Sequence, residues 1–184
     1  MSERRFAVLD ESAMTEAQRT VRSAIVSGPR GEVRGPFNAL LRSPGLADRV
    51  QKVGEYIRFG SSLPAKLNEL AILVTARYWS AQYEWYAHHQ FAMKAGLAPR
   101  IAAEIAEGRR PSGMSKEEAA VHDFCRELHQ DKHVGDEAYA AALECFGEQG
   151  VIDLVGACGY YTLVSMVLNV DRHPMPTGIE PPLK

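Results

Sequence analysis

Residues 69–88, ELAILVTARYWSAQYEWYAH, decide the fold of this 184-residue chain. The stretch opens with a carboxylate and continues with a nearly unbroken apolar run, Leu70 to Ala76, as expected of a helix that is buried on several sides. Pro64 lies before the stretch and Gly96 lies after it, and proline and glycine commonly mark the start and end of helices. The sequence therefore predicts two long buried helices, residues 64–79 and 81–95.

Glu84 and His88 are the most distinctive pair in this stretch. Four residues apart on the second helix, they lie one turn apart on the same face, and the rest of that face is apolar. A carboxylate beside a buried imidazole raises its basicity and fixes its tautomer, so the pair predicts a proton-transfer site, with a structural ion pair as the alternative. Glu69 is a candidate third group, although the helix dipole also favours an acid near a helix N-terminus.

The rest of the chain shows helical periodicity and no convincing strand, so the predicted fold class is all-α. Two capping boxes, Thr15–Gln18 and Ser115–Glu118, open helices. We expect a single domain over residues 1–184, with an extended, proline-rich tail over 171–184 that could lie on a neighbouring subunit. Further helices are expected at residues 15–27, 44–60, 99–107, from 115 past 128, 136–146 and 151–170.

Composition and charge exclude several classes of function. The formal net charge of −2 argues against a nucleic-acid partner, which requires a strong basic patch. The N-terminus has no apolar signal core and no window resembles a membrane span, so we expect a cytoplasmic protein without a membrane partner. The three cysteines, Cys125, Cys145 and Cys158, lack zinc-type spacing and are expected to be reduced and mostly buried.

The helix expected at residues 151–170 is apolar on more faces than one neighbouring layer would cover. A helix that is apolar all round needs deep burial or a partner chain. The sequence therefore predicts a homo-oligomer, either a dimer, a trimer or a hexamer.

The central stretch resembles the carboxymuconolactone decarboxylase family, whose relatives include the AhpD-type alkylhydroperoxidases. The resemblance covers roughly residues 30–170. It implies an all-helical, oligomeric, AhpD-like fold (core 30–170) with its site in a pocket near a subunit boundary. The segments that carry the resemblance are 67–73, 81–85 and His88, supported by Gly35–Asn38, Gly159–Thr162 and Leu168–Asn169.

The peroxidase branch of these relatives has a glutamate, a Cys-x-x-Cys pair and then a histidine. Glu69 and His88 match the glutamate and the histidine, but Ala81 and Glu84 occupy the two cysteine positions. A thiolate is the nucleophile in that chemistry. This chain therefore resembles a branch that lacks the redox pair.

The leading hypothesis is a cofactor-independent, carboxy-lyase-like enzyme that uses His88, Glu84 and Glu69 for acid–base chemistry on a small organic acid or lactone. One alternative is an AhpD-type, peroxiredoxin-like peroxidase that uses one of the three cysteines. A second is a metal-dependent enzyme with the same three residues as ligands, although we predict no metal or cofactor. A third is a non-catalytic, oligomeric ligand-binding protein.

Four residues are candidates for binding a small-molecule substrate. Arg77 and Arg58 could bind a carboxylate, with structural ion pairs as the alternative. Tyr83 and Trp85 could line an apolar pocket, with core packing as the alternative. His129 and His133 have the i, i+4 spacing of helical metal ligands, but a favourable charge at a helix C-terminus explains them more simply.

Overall fold

The computed structural model describes residues 3–184, which form eight α-helices and no β-strand. The all-α fold class is therefore confirmed. A short 3₁₀ turn, Glu11–Ala13, precedes the helices. These are α1 (Glu16–Ser27), α2 (Phe37–Leu40), α3 (Pro44–Phe59), α4 (Ala65–Tyr78), α5 (Gln82–Lys94), α6 (Pro99–Ala106), α7 (Lys116–Gln130) and α8 (Asp136–Asp171).

The local sequence signals explain where most helices begin and end. Both predicted capping boxes form, with reciprocal side-chain to backbone hydrogen bonds at the starts of α1 and α7. Gly96 takes the left-handed conformation, φ +90°, just after α5. The helices expected at 136–146 and 151–170 join into α8, which is kinked at Gly147 with φ +65°. The first of them is capped at Gly135, and Asp136 is its first helical residue.

The helix α4 forms the centre of the molecule. It packs against α5, α6, α7 and α8, and Leu70, Ile72 and Leu73 are completely buried. Buried apolar residues from Met14 to Leu183 belong to one continuous core. The unbroken apolar run of the sequence therefore corresponds to a helix that is surrounded by other helices.

The turn between α4 and α5 aligns the acidic and imidazole side chains. Ser80 adopts the left-handed conformation, φ +47°, and reverses the chain between the two packed helices. Glu69 lies 11 residues before this turn and His88 lies 8 residues after it. An antiparallel pair of helices therefore places these two residues at the same level.

The helix α8 is long and apolar enough to cross a membrane when length and composition alone are considered, and 56% of its most apolar window is buried inside the protein. A buried core helix passes the same test. Within that window, the Asp153 carboxylate accepts hydrogen bonds from Tyr56, Ser61 and Ser62, at 2.7–3.2 Å. This acid joins α8 to the segment between α3 and α4.

The C-terminal tail, residues 172–184, has no helix, but it does not project away from the chain. The backbone of Leu183 exchanges two hydrogen bonds of 2.9 Å with the Gln82 side chain, and the Leu183 side chain is buried. The end of the tail therefore packs against the start of α5 in the same chain, and the expectation that the tail could lie on a neighbouring subunit stays a prediction.

Candidate active site

The imidazole of His88 lies between two carboxylates. Its Nδ1 atom is 2.7 Å from Oε2 of Glu69 on α4, and its Nε2 atom is 3.1 Å from Oε1 of Glu84 on α5. All three side chains are largely buried. The structure thus brings together the three residues that the sequence suggested as the acid–base group.

The two carboxylates keep His88 protonated. Burial alone lowers the pKa of His88, but the charges of Glu69 and Glu84 and their hydrogen bonds outweigh burial and raise the pKa to about 9. Both ring nitrogens therefore donate hydrogen bonds at neutral pH.

This geometry does not suit a metal ion. The carboxylates occupy opposite edges of the imidazole ring, so Glu69, Glu84 and His88 do not converge on one point. Within residues 3–184, no group of three or more His, Cys, Asp or Glu side chains has a metal-binding arrangement. His129 and His133 are not helical neighbours either, because His133 lies beyond the end of α7.

Glu84 and His88 open onto a cavity of about 60 Å³ between α3, α5, α8 and the loop that precedes α2. Three arginines, Arg30, Arg34 and Arg58, line its walls. The loop and α3 contribute cations that no local pattern around Glu84 could reveal.

Two of these arginines are held by aromatic rings. The Arg58 guanidinium lies over Phe59 and Phe91, 5.0 and 5.2 Å from the ring centres, and Arg30 lies over Phe37 at 4.8 Å. Neither has an acidic partner within 4.0 Å in the described part of the chain. Their charges are therefore available to an anion in the cavity.

Two tyrosines of α8 complete the cavity wall. Tyr160 accepts a hydrogen bond of 3.2 Å from Nη2 of Arg30. Tyr161 packs edge-on against His88, with 4.9 Å between ring centres, and its buried hydroxyl has no hydrogen-bond partner among residues 3–184. Burial raises the pKa of Tyr161 well above its usual value, so the hydroxyl stays a neutral donor.

Four residues of the cavity were not predicted from the sequence: Arg30, Arg34, Tyr160 and Tyr161. The available signal for the tyrosines was the Gly159–Thr162 segment of the family resemblance. The arginines gave no comparable signal, because they lie in a glycine-rich loop far from the central stretch in sequence.

The substrate-binding candidates divide into two groups. Arg58 and Tyr83 line the cavity. Trp85 is buried in the core instead, and Arg77 lies at the far end of α4 against Gly108. The assignments of Trp85 and Arg77 to this site are therefore corrected, since each side chain points to a different part of the protein.

The cysteines lie away from this cavity and form no disulfide. Cys125 and Cys158 are buried in contact with each other, and His129 and Thr75 also contact the Cys158 thiol. The hydrogen bond from Cys125, supported by those from His129 and Thr75, lowers the pKa of Cys158 to about 6 despite burial, whereas the pKa of Cys125 is raised.

Comparison with known proteins gave one family match. Residues 44–122 match the family model described as the Carboxymuconolactone decarboxylase family. This segment of the chain is similar to the members of that family. No curated protein matches the chain.

The matched segment contains Glu69, Glu84 and His88 together with Arg58 and Tyr83. The remaining wall of the cavity comes from outside the matched residues, through the loop at 30–37 and the tyrosines of α8. The acid–base group is thus part of the family segment, while much of the cationic lining comes from the flanking chain.

Proposed function

We propose that this protein is a carboxymuconolactone decarboxylase-like enzyme that carries out cofactor-independent proton transfer on a small anionic organic acid or lactone. The observation that supports this proposal is a buried imidazolium, held by two carboxylates, at the edge of an arginine-lined cavity. The family match supports the same reaction class.

The arginines would bind the substrate. Arg30 and Arg58 offer guanidinium groups that carboxylates prefer, and the surrounding aromatic rings restrict the arginine side chains. Binding an anion there would place its carbon skeleton beside Glu84 and His88. The cavity holds only a few waters, so a substrate would also extend into the mouth near Arg34.

The proton on Nε2 of His88 would drive the chemical step. In a decarboxylation, the bond to the leaving carboxylate breaks, CO₂ departs, and the electron pair is delocalised into a neighbouring carbonyl as an enolate. The proton then passes from His88, directly or through Glu84, to the substrate carbon, and solvent reprotonates the site. The Tyr161 hydroxyl could donate a hydrogen bond to the enolate oxygen.

The test is a panel of small β-keto acids and carboxylated lactones, followed by NMR in D₂O for CO₂ loss and deuterium incorporation at carbon. We expect turnover of at least one compound. Glu84→Gln and His88→Gln should reduce it by about 10²–10⁴-fold, the usual contribution of general acid–base catalysis.

The matched control is Glu144→Gln, because Glu144 is an exposed acid on α8 away from the cavity. This variant should keep full activity. Full activity in folded Glu84→Gln and His88→Gln proteins would contradict the proposal, as would an inert wild-type protein across the panel.

A second candidate function is thiol-dependent reduction of hydroperoxides, favoured by the low pKa of Cys158 beside Cys125. The Cys158 thiolate would attack the O–O bond, releasing an alcohol and leaving a sulfenic acid. Cys125 would then form a disulfide with Cys158 and release water, and an external thiol would reduce the pair. Both cysteines are buried, which opposes this reading.

Peroxide consumption with dithiothreitol as reductant tests this alternative. Activity that disappears in Cys158→Ser and persists in Cys145→Ser would support it. Thiols that react with iodoacetamide only after denaturation, together with no peroxide consumption, would exclude it.

A further inference from the structure

A second cavity, of about 320 Å³, lies at the other end of α4. Arg77, which contributes to it, is eight residues after Glu69 and therefore about 12 Å further along the helix. The cavity is formed by the end of α4, the segment after α6, and α7. Its volume is within the range of about 300–1,000 Å³ that is usual for small-molecule sites.

Four arginines line this second cavity, Arg77, Arg109, Arg110 and Arg126. Three of them are fixed by acidic neighbours that do not themselves line the cavity. Arg110 uses Nε and Nη2 in a two-point contact with Asp123, at 2.8 and 2.6 Å. Because a guanidinium has five N–H donors, each fixed arginine keeps donors for a ligand.

Arg77 differs from the other three. It has no acidic partner within 4.0 Å in the described chain, and its hydrogen bonds to Ser80 and Lys184 are long, at 3.5 Å. Its Nε atom is buried and has no hydrogen-bond partner in residues 3–184. An unpaired buried N–H donor is costly, and the rest of this half-buried guanidinium makes only the two long contacts, so Arg77 is the natural anchor for an anion.

We propose that this cavity binds the phosphate group of a small organic phosphate. A phosphate monoester carries a charge of about −1.5 to −2 and three strong acceptor oxygens, which suits several arginines approaching from different elements. One arginine already satisfies the two oxygens of a carboxylate. The apolar floor, Val74 and Ile105, with Tyr78 stacked on His129, accommodates the organic part.

This site is separate from the proposed acid–base site, so either proposal can fail without the other. Isothermal titration with inorganic phosphate, glycerol 3-phosphate and acetate at fixed ionic strength tests it. The variants are Arg77→Met and Arg126→Met, which keep the apolar stem and remove the charge. The controls are Arg49→Met, an exposed arginine of α3 outside both cavities, and Arg58→Met in the acid–base cavity.

We expect both phosphates to bind more tightly than acetate. Arg77→Met and Arg126→Met should each weaken phosphate binding at least tenfold, while Arg49→Met and Arg58→Met bind as the wild type does. The proposal is overturned if phosphate does not bind at millimolar concentration, if Arg77→Met and Arg126→Met bind phosphate as the wild type does, or if only Arg58→Met weakens phosphate binding. Circular dichroism of each variant establishes that it is folded.

Discussion

Glu84 and His88 contact each other on α5 because residues four apart on a helix are neighbours whatever the rest of the fold does. The contact between His88 and Glu69 depends in addition on the position of the turn at Ser80. The arginines could not be predicted in this way. Arg30 and Arg58 reach the cavity only through the packing of α3 and the loop before α2 against α5 and α8.

The raised pKa of His88 makes a pH-dependent contribution to stability. A histidine whose pKa rises from 6.5 to about 9 on folding stabilises the protein fully below pH 6.5 and loses that contribution as the pH rises through about 9. The largest possible effect is about 3 kcal/mol. We expect the free energy of unfolding of the wild type, relative to His88→Gln, to fall between pH 6.5 and 9.5.

Urea unfolding at fixed protein concentration across this pH range provides the measurement. Other titrating groups are common to both proteins, so the difference isolates His88. A difference that stays constant or grows with pH would show that His88 is not protonated in the folded protein.

The hydroxyl of Tyr161 is a second residue-scale test, because it is buried without a partner in the described residues. An unsatisfied buried polar group costs about 1–3 kcal/mol. Tyr161→Phe keeps the ring contact with His88 and removes the hydroxyl. We expect this variant to unfold at a higher temperature than the wild type and to turn over substrate more slowly.

Tyr160→Phe is the comparison for that experiment, since it removes a hydroxyl that does accept a hydrogen bond, from Arg30. It should be less stable than the wild type. A Tyr161→Phe protein that is both less stable and fully active would contradict the assignment of this hydroxyl to the site.

At the scale of elements, the helices were largely predictable, because their caps, prolines and glycines are local signals. The role of Gly54 within α3 was not. A glycine inside a helix is usually unfavourable, yet a Cβ atom at this position would lie 2.1 Å from the Tyr160 hydroxyl and 2.3 Å from Nη2 of Arg30. Gly54 thus leaves room for two side chains that line the cavity.

Gly54→Ala should therefore destabilise the protein, although alanine is the better helix former by about 1 kcal/mol. The added methyl group must displace Tyr160 and Arg30, so substrate turnover should fall as well. Gly45→Ala is the matched control on the same helix, because nothing lies within 4 Å of its added Cβ. Thermal unfolding and the turnover assay, applied to both variants, provide the comparison, and equal behaviour would refute the steric argument.

At the scale of the whole molecule, α8 has two apolar faces and the chain covers only one. The covered face packs against α3, α4 and α7. The other carries residues at i, i+3, i+14 and i+18, which lie on a single helical stripe. Exposed apolar members of this stripe are Ile152, Val155, Met166 and Val170, with Ile152 exposed by 68%.

This uncovered stripe is the basis for predicting a homo-oligomer. Contiguous exposed apolar surface on a helix marks an interaction site, and stable interfaces bury about 800 Å² on each partner.

Light scattering after size exclusion should give a mass of at least two chains. Ile152→Glu combined with Val155→Glu should reduce it to one chain while the helical content is retained, because both side chains lie outside the core. Val8→Glu, which charges an exposed valine outside α8, should leave the mass unchanged. A wild-type protein with the mass of a single chain at micromolar concentration would refute the prediction and leave the stripe without a function.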